Sequence, residues 1–239
     1  MVESFKITAQ NLKRYLKVSV HLPDNYYKTD YKYPTVISFD GQLLFNFLTE
    51  HTKEIDIDKS MEKSRAICIG IQAPTIPAWR LSELNPYYNG TDKQVDTVLS
   101  YIFYDYIINE LIPLLKIKYR MSEDLFLLGF NEGAISAIYM MYKYDIFTGA
   151  GIFYPTLNEV DNKFYQDIEK HFKKEKQIFM YQGSNDGTPS KFYDLYIRFK
   201  ALGCEKIEII FSEQYDNSYK AFETNLIEFF RFIEDKWDS

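Results

Sequence analysis

One junction carries the strongest chemical signal in the chain. Gly129-Phe-Asn-Glu-Gly133 directly follows the apolar run Leu125-Phe-Leu-Leu128 and precedes a helical stripe of Ile135, Ile138 and Met141. Strand, glycine-flanked turn and helix make up the context of the G-x-S-x-G nucleophile elbow, a sharp turn that thrusts its central side chain above a sheet. The glycines let the chain turn and pack closely. Chemistry at the centre calls for a serine hydroxyl, and the residue here is Asn131. An amide nitrogen has a delocalised lone pair and does not attack a carbonyl.

Other constellations offer less. Asp56-Ile-Asp58 is a close carboxylate pair without the neighbours of an EF-hand, and it reads as a solvated loop. No metal site is expected. The chain has no GxxxxGK[ST] and no GxGxxG, so no nucleotide cofactor is expected, nor any other. Cys68, inside the apolar run Ala66–Ile71, reads as a buried strand residue, and Cys204 follows Gly203 in a predicted loop. Neither has a CxxC or metal-type spacing.

The elements that must position these residues alternate along the chain. Short apolar runs at Tyr15–His21, Thr35–Phe39, Ala66–Ile71, Leu125–Leu128, Ala150–Phe153, Ile178–Tyr181 and Ile207–Phe211 predict strands, the first half-exposed. Helical spacing separates them: Val95, Val98, Leu99, Ile102, Phe103, Tyr106, Ile107 and Leu111, then the stripe after the elbow. Further stripes are Phe192, Leu195, Tyr196 and Phe199, then Phe222, Leu226, Phe229, Phe230 and Ile233. That alternation predicts the α/β class, with a mostly parallel sheet and helices on both faces. No linker or repeat interrupts residues 1–239, which predicts one domain. Ligands in such sheets bind beyond the carboxyl ends of the strands, so residues just after each strand matter most.

Composition excludes several partners. The formal net charge is −6, and the most basic segment, His171-Phe-Lys-Lys-Glu-Lys176, contains an acid and reads as a solvated helix end. Nucleic acid is therefore not an expected partner. No apolar stretch of about 18 residues could span a membrane. The first residues, Met1-Val-Glu-Ser-Phe-Lys6, lack the apolar core of a signal peptide, so a cytoplasmic location is expected. Aromatic residues reach 18%, which would suit a sugar or aromatic ligand but reads first as a compositional habit. Oligomeric state has no signal.

Four segments in order resemble a known family. Val20-His-Leu-Pro-Asp-Asn-Tyr26 is similar to its "LP-x-x-Y" turn, and Tyr33-Pro-Thr-Val-Ile-Ser-Phe-Asp-Gly-Gln-Leu-Leu-Phe45 to its "YPvlyllDGqnlF" segment. Asn109-Glu-Leu-Ile-Pro113 with Lys118-Tyr-Arg120 resembles its "nELiP…YR" helix. Gly129–Gly133, continuing to Lys143–Phe147 and Phe153-Tyr-Pro155, resembles the elbow, a "kyPdvF" turn and a strand ending in "SP". The family is that of the esterase-D-type esterases within the α/β hydrolases, with S-formylglutathione hydrolases and enterochelin-type esterases among its members. The resemblance runs from about Tyr15 to the C-terminus.

It implies a Ser-His-acid triad in the chain order Ser, acid, His. The acid position maps to Asp186 in Gly183-Ser-Asn-Asp-Gly187. The histidine position falls near Asp216 or Asn217, in a loop that has no histidine. The chain's only histidines, His21, His51 and His171, all precede Asp186. By resemblance, then, two triad positions are altered together. The oxyanion-hole donors would be the backbone N–H groups of Glu132 and of a residue near Gln42. A Glu132 carboxylate would disfavour an oxyanion, although acids are common at a helix N-terminus.

Three readings follow. The first is an esterase-like protein without catalysis that binds a small-molecule, acyl- or sugar-type ligand in the cleft. Trp79, Arg80, Tyr87 and Tyr88, in and just after the Pro-rich stretch from Pro74 to Pro86, are candidates to line that cleft or else pack a long loop. The second is an ester hydrolase with a rewired site, using Asp186, Asp216 or Glu132 through water. The third is a regulatory or structural subunit.

Overall fold

The computed structural model describes residues 1–45, 57–61, 64–88, 98–183, 189–212 and 219–234. Among them eight strands form one sheet: β1 (Val2–Ala9), β2 (Arg14–His21), β3 (Tyr33–Ser38), β4 (Ile67–Ile71), β5 (Met121–Phe130), β6 (Gly149–Phe153), β7 (Gln177–Gly183) and β8 (Ile207–Ser212). Their order is β1-β2-β4-β3-β5-β6-β7-β8. β2 runs antiparallel to both β1 and β4, and every other pairing is parallel.

Alternation along the central strands divides the core in two, because successive side chains point to opposite faces. Ile37, Ile69, Leu127, Ile152 and Met180 face one cluster. Val36, Cys68, Leu128, Phe153 and Phe179 face the other. Both faces are covered, so these strands read as continuous apolar runs. β1 is the strand that sequence patterns did not predict. It turns Glu3, Phe5 and Ile7 half inward and leaves Ser4, Lys6 and Thr8 exposed at the sheet edge, which dilutes its apolar signal.

The helices, in chain order, are α1 (Gly41–Leu44), α2 (Ile57–Ser60), α3 (Pro77–Leu84), α4 (Ser100–Tyr106), α5 (Ile112–Lys118), α6 (Glu132–Lys143), α7 (Asn162–His171), α8 (Pro189–Ala201) and α9 (Tyr219–Glu234). α9 and α2 pack on one face, and α4 to α8 on the other. Asp58 therefore lies in a helical turn rather than a loop. A π-helical turn over Ile107–Leu111 joins α4 to α5. Pro113 explains it: proline offers no N–H and its ring crowds the carbonyl four residues back, and a wider turn absorbs both. α3 replaces part of the predicted long loop, with Pro77 at its first turn, where a missing N–H costs nothing.

α6 is buried all the way from Gly133 to Tyr142, so the stripe read in the sequence understates its burial. Both cysteines are buried free thiols: Cys68 lies in β4, and Cys204 donates to Lys176 O at 3.3 Å. Among the described residues no helix is long and apolar enough to cross a membrane, and no cluster of three or more His, Cys, Asp or Glu side chains could hold a metal ion.

Candidate functional site

Asn131 caps β5 and opens α6 with φ 51° and ψ −116°. Side chains rarely adopt that conformation, and holding it costs on the order of 1–3 kcal/mol. Neighbours enforce it. Asn131 N–H donates to Phe153 O at 3.1 Å, which ties the turn to the end of β6, and Ala134 N–H donates to Asn131 O at 3.1 Å. A Cβ on Gly129 would fall 2.0 Å from Gly133 O, so the strand and helix approach more closely than any side chain permits. Gly133 is equally confined, its would-be Cβ 2.8 Å from Asp40 Oδ2. The result is an exposed Asn131 side chain at the carboxyl end of the sheet.

A charged network lies beneath the turn. Asp40, between β3 and α1, is fully buried, and Arg80 of α3 reaches it with two guanidinium nitrogens at 2.5 and 3.0 Å. The same guanidinium donates to Glu132 Oε2 at 2.6 Å and to Phe130 O at 3.2 Å. Burial disfavours the cation, but Asp40 and then Glu132 outweigh it and hold the Arg80 pKa above its already high value. Gln42 Nε2 donates to Asp40 Oδ1 at 3.0 Å, and Gln42 Oε1 accepts from Ala73 N–H at 2.9 Å. α3 is itself anchored: Ser136 of α6 donates to Leu84 O at 2.5 Å, and Arg14 pairs with buried Glu83. Arg80 thus ties the segments after β3 and β5 to a single point.

Beside Asn131 opens a cleft of about 200 Å³ lined by Tyr154, Thr156, Asn158, Glu159 and Gln182 among others. These residues follow β6 or end β7, where a parallel sheet offers its ligand sites. Tyr154 holds a second strained backbone, φ 49°, with its N–H donating to Tyr181 O at 3.0 Å. Gln182 is 1% exposed, and its Oε1 and the Thr156 Oγ1 are buried without a hydrogen-bond partner among the described residues.

The sequence-predicted residues separate into groups. Asn131, Glu132, Gln42 and Arg80 come together at the elbow, with Gln42 and Glu132 engaged through their side chains. Tyr87 packs away from the cleft, its hydroxyl on Tyr142 at 2.5 Å and Asp167 at 3.2 Å, its ring edge-on to Phe164. Trp79, on α3, is 44% exposed. Tyr88 closes a turn through Tyr88 N–H to Asn85 O.

His21 pairs with Cys68 near the start of β4, at the amino ends of the parallel strands. His171 ends α7 and stacks on Tyr142 at 6.1 Å, at that same pole of the sheet. Neither is at the elbow. Asp186, Asp216, Asn217 and His51 lie outside the described residues. Tyr154, Thr156, Glu159 and Gln182 were not singled out as site residues in the sequence. Their place directly after or at the end of predicted strands was the signal that could have found them.

Residues 9–194 match the family described as "Putative esterase". The chain belongs to this family. Solved structures agree on the fold. This esterase-family chain is similar to an IroE-like serine hydrolase from Shewanella oneidensis, with 18% identity, TM-score 0.70, and coverage of 95% of this chain and 78% of that one. It is also similar to the siderophore hydrolase EstA from Aspergillus nidulans, with 15% identity, TM-score 0.77, and coverage of 98% and 94%. A third is an S-formylglutathione hydrolase from Agrobacterium tumefaciens, with 14% identity, TM-score 0.70, and coverage of 98% and 95%. The fold is that of the α/β-hydrolase esterases. No curated protein matches the sequence.

Proposed function

We propose that this esterase-family chain has lost its serine nucleophile and histidine base and works as a non-catalytic binding protein, taking a small ligand in the cleft at Asn131. The observation that carries the reading is the strained elbow built around an amide: φ 51° and ψ −116° at Asn131. Such strain persists only where the surroundings enforce it, and it clusters at functional sites. It presents to the cleft a side chain that donates and accepts hydrogen bonds but cannot form an acyl intermediate.

Two further observations favour binding over a rewired hydrolase. Glu132 is engaged by Arg80 at 2.6 Å, so its carboxylate is not free to take a proton from water. No histidine follows residue 171 in the sequence, so the family's third position has no imidazole. Neighbours named for siderophore and S-formylglutathione hydrolysis lend weight to a small-molecule occupant.

The test is hydrolysis of p-nitrophenyl acetate by the protein, by Asn131→Ala and by Asn131→Ser. All three are expected to show the same trace rate, because a hydroxyl without a base gains little beyond what a backbone oxyanion hole supplies. Turnover at least tenfold above background that disappears in Asn131→Ala overturns the reading, as does substantial activity in Asn131→Ser.

A further inference from the structure

We infer that the cleft beside Asn131 takes a small protonated primary amine, held by the Glu159 carboxylate, Gln182 Oε1 and the Thr156 hydroxyl. This rests on the binding reading above and adds the chemistry of the ligand. Buried polar atoms in folded proteins almost always find a partner. Here two of them, Gln182 Oε1 and Thr156 Oγ1, have none among the described residues, and both residues line one cleft. Gln182 Oε1 can only accept, and the Thr156 hydroxyl can accept as well as donate, so a ligand rich in N–H or O–H groups would satisfy both.

Glu159 decides between the two. Among the described residues that line the cleft it is the one that carries a charge. Two cations near it, among the described residues, are committed elsewhere. Arg80 is bound to Asp40 and Glu132. Lys191 Nζ, on α8, donates to Leu157 O at 3.2 Å and Asn158 Oδ1 at 3.0 Å. Partial burial, and then the Glu132 carboxylate, raise the Glu159 pKa above its ordinary value, with Arg80 only partly offsetting them. Glu159 is exposed, so a ligand arriving from solvent can reach it.

An ammonium group has three donors and no acceptor, which matches one carboxylate and two orphaned oxygens. A neutral polyol would satisfy the oxygens and leave Glu159 without a counter-charge. A hard divalent metal asks for about six or more oxygen ligands and near-ideal geometry. A cleft of about 200 Å³ is below the usual range for drug-sized ligands, so the amine is small.

The experiment compares n-butylamine hydrochloride with n-butanol, which are close in size and differ in the charged head group. Each is titrated into 15N-labelled protein at neutral pH and followed by amide chemical shifts. The amine is expected to bind at least tenfold more tightly than the alcohol, with shifts centred on Tyr154–Glu159 and Gln182. Glu159→Gln should weaken the amine at least tenfold. Gln182→Met, which keeps the volume and removes the acceptor, should weaken it several-fold. Glu123→Gln, an exposed carboxylate change away from the cleft, should leave it unaltered.

Equal affinity for amine and alcohol overturns the inference, as does unchanged amine affinity in Glu159→Gln, or an equal loss in Glu123→Gln. These outcomes are separable from the hydrolysis test. Absent amine binding without Asn131-dependent turnover removes the ligand class alone, whereas Asn131-dependent turnover removes the binding reading beneath it.

Discussion

Arg80→Met should be among the most damaging single substitutions on this molecule that create no steric clash. The substitution keeps most of the side-chain volume and removes the guanidinium, leaving the Asp40 carboxylate fully buried with Gln42 as its remaining side-chain donor. Breaking a buried ion pair by deleting one partner costs about 3–5 kcal/mol, because the other charge stays behind without compensation. The Arg80 side chain is 16% exposed, so water softens the loss and the lower part of that range, about 3–4 kcal/mol, applies. For a chain of this size each kcal/mol moves the melting temperature by about 2–4 °C, which gives a fall of roughly 6–16 °C.

Urea unfolding followed by tryptophan fluorescence at neutral pH measures the loss, with m-values compared to check that the transition stays two-state. Arg80→Met combined with Asp40→Asn removes both charges. The double variant should recover about 2 kcal/mol relative to the sum of the single changes, since the penalty lies in the orphaned carboxylate. Arg80→Lys should recover only part of the stability, because an ammonium cannot reproduce the fork that spans Asp40, Glu132 and Phe130 O. A loss below about 1 kcal/mol in Arg80→Met, or additive effects in the double variant, would refute the reasoning.

Three further outcomes follow from the same geometry. Asn131→Gly should raise stability by about 1 kcal/mol in urea unfolding, as relief of the φ 51° strain exceeds the entropy that glycine adds to the unfolded chain; a lower stability would show that the turn is not strained. Gly129→Ala should cost about 3 kcal/mol or more, or prevent folding, since its Cβ would sit 2.0 Å from Gly133 O and backbone cannot give way cheaply. Near-native stability of that variant by thermal unfolding would contradict the close strand–helix approach.

Glu83, 2% exposed, is held above its ordinary value of 4.5 by burial, with Arg14 pulling the other way. The folded chain therefore holds this proton more tightly than the unfolded chain, and the group costs stability as pH rises from 4.5 through its folded pKa. Relative to the natural protein, Glu83→Gln should gain stability across that window and level off above it. A difference that is constant or falls with pH, measured by urea unfolding at stepped pH, would count against the burial argument.

The sequence by itself determined the elements and the turn at the heart of the site. Apolar runs of strand length and stripes at helical spacing depend on neighbours a few residues away, so β2 to β8, α6, α8 and α9 were legible without knowledge of what they touch. The glycines at 129 and 133 announced a close strand–helix turn for the same local reason, and the structure gives that turn its strained φ and ψ. β1 was harder to read because an edge strand buries only half its surface, and α3 was masked by the prolines around it.

Only the tertiary structure decided which residues meet. Arg80 is about 40 residues from Asp40 and about 50 from Glu132 along the chain, and nothing local couples them. The strand order that sets β3 between β4 and β5, with α3 packed on α6, brings their charges into one buried network. The same packing turns Tyr87 into a neighbour of Tyr142 and Phe164, and sends His21 and His171 to the far pole of the sheet. It also gathers Thr156, Glu159 and Gln182, from the ends of two strands, around Asn131. Pairing between distant segments is chosen by the burial of whole faces at once, and a window of sequence holds only one of those faces.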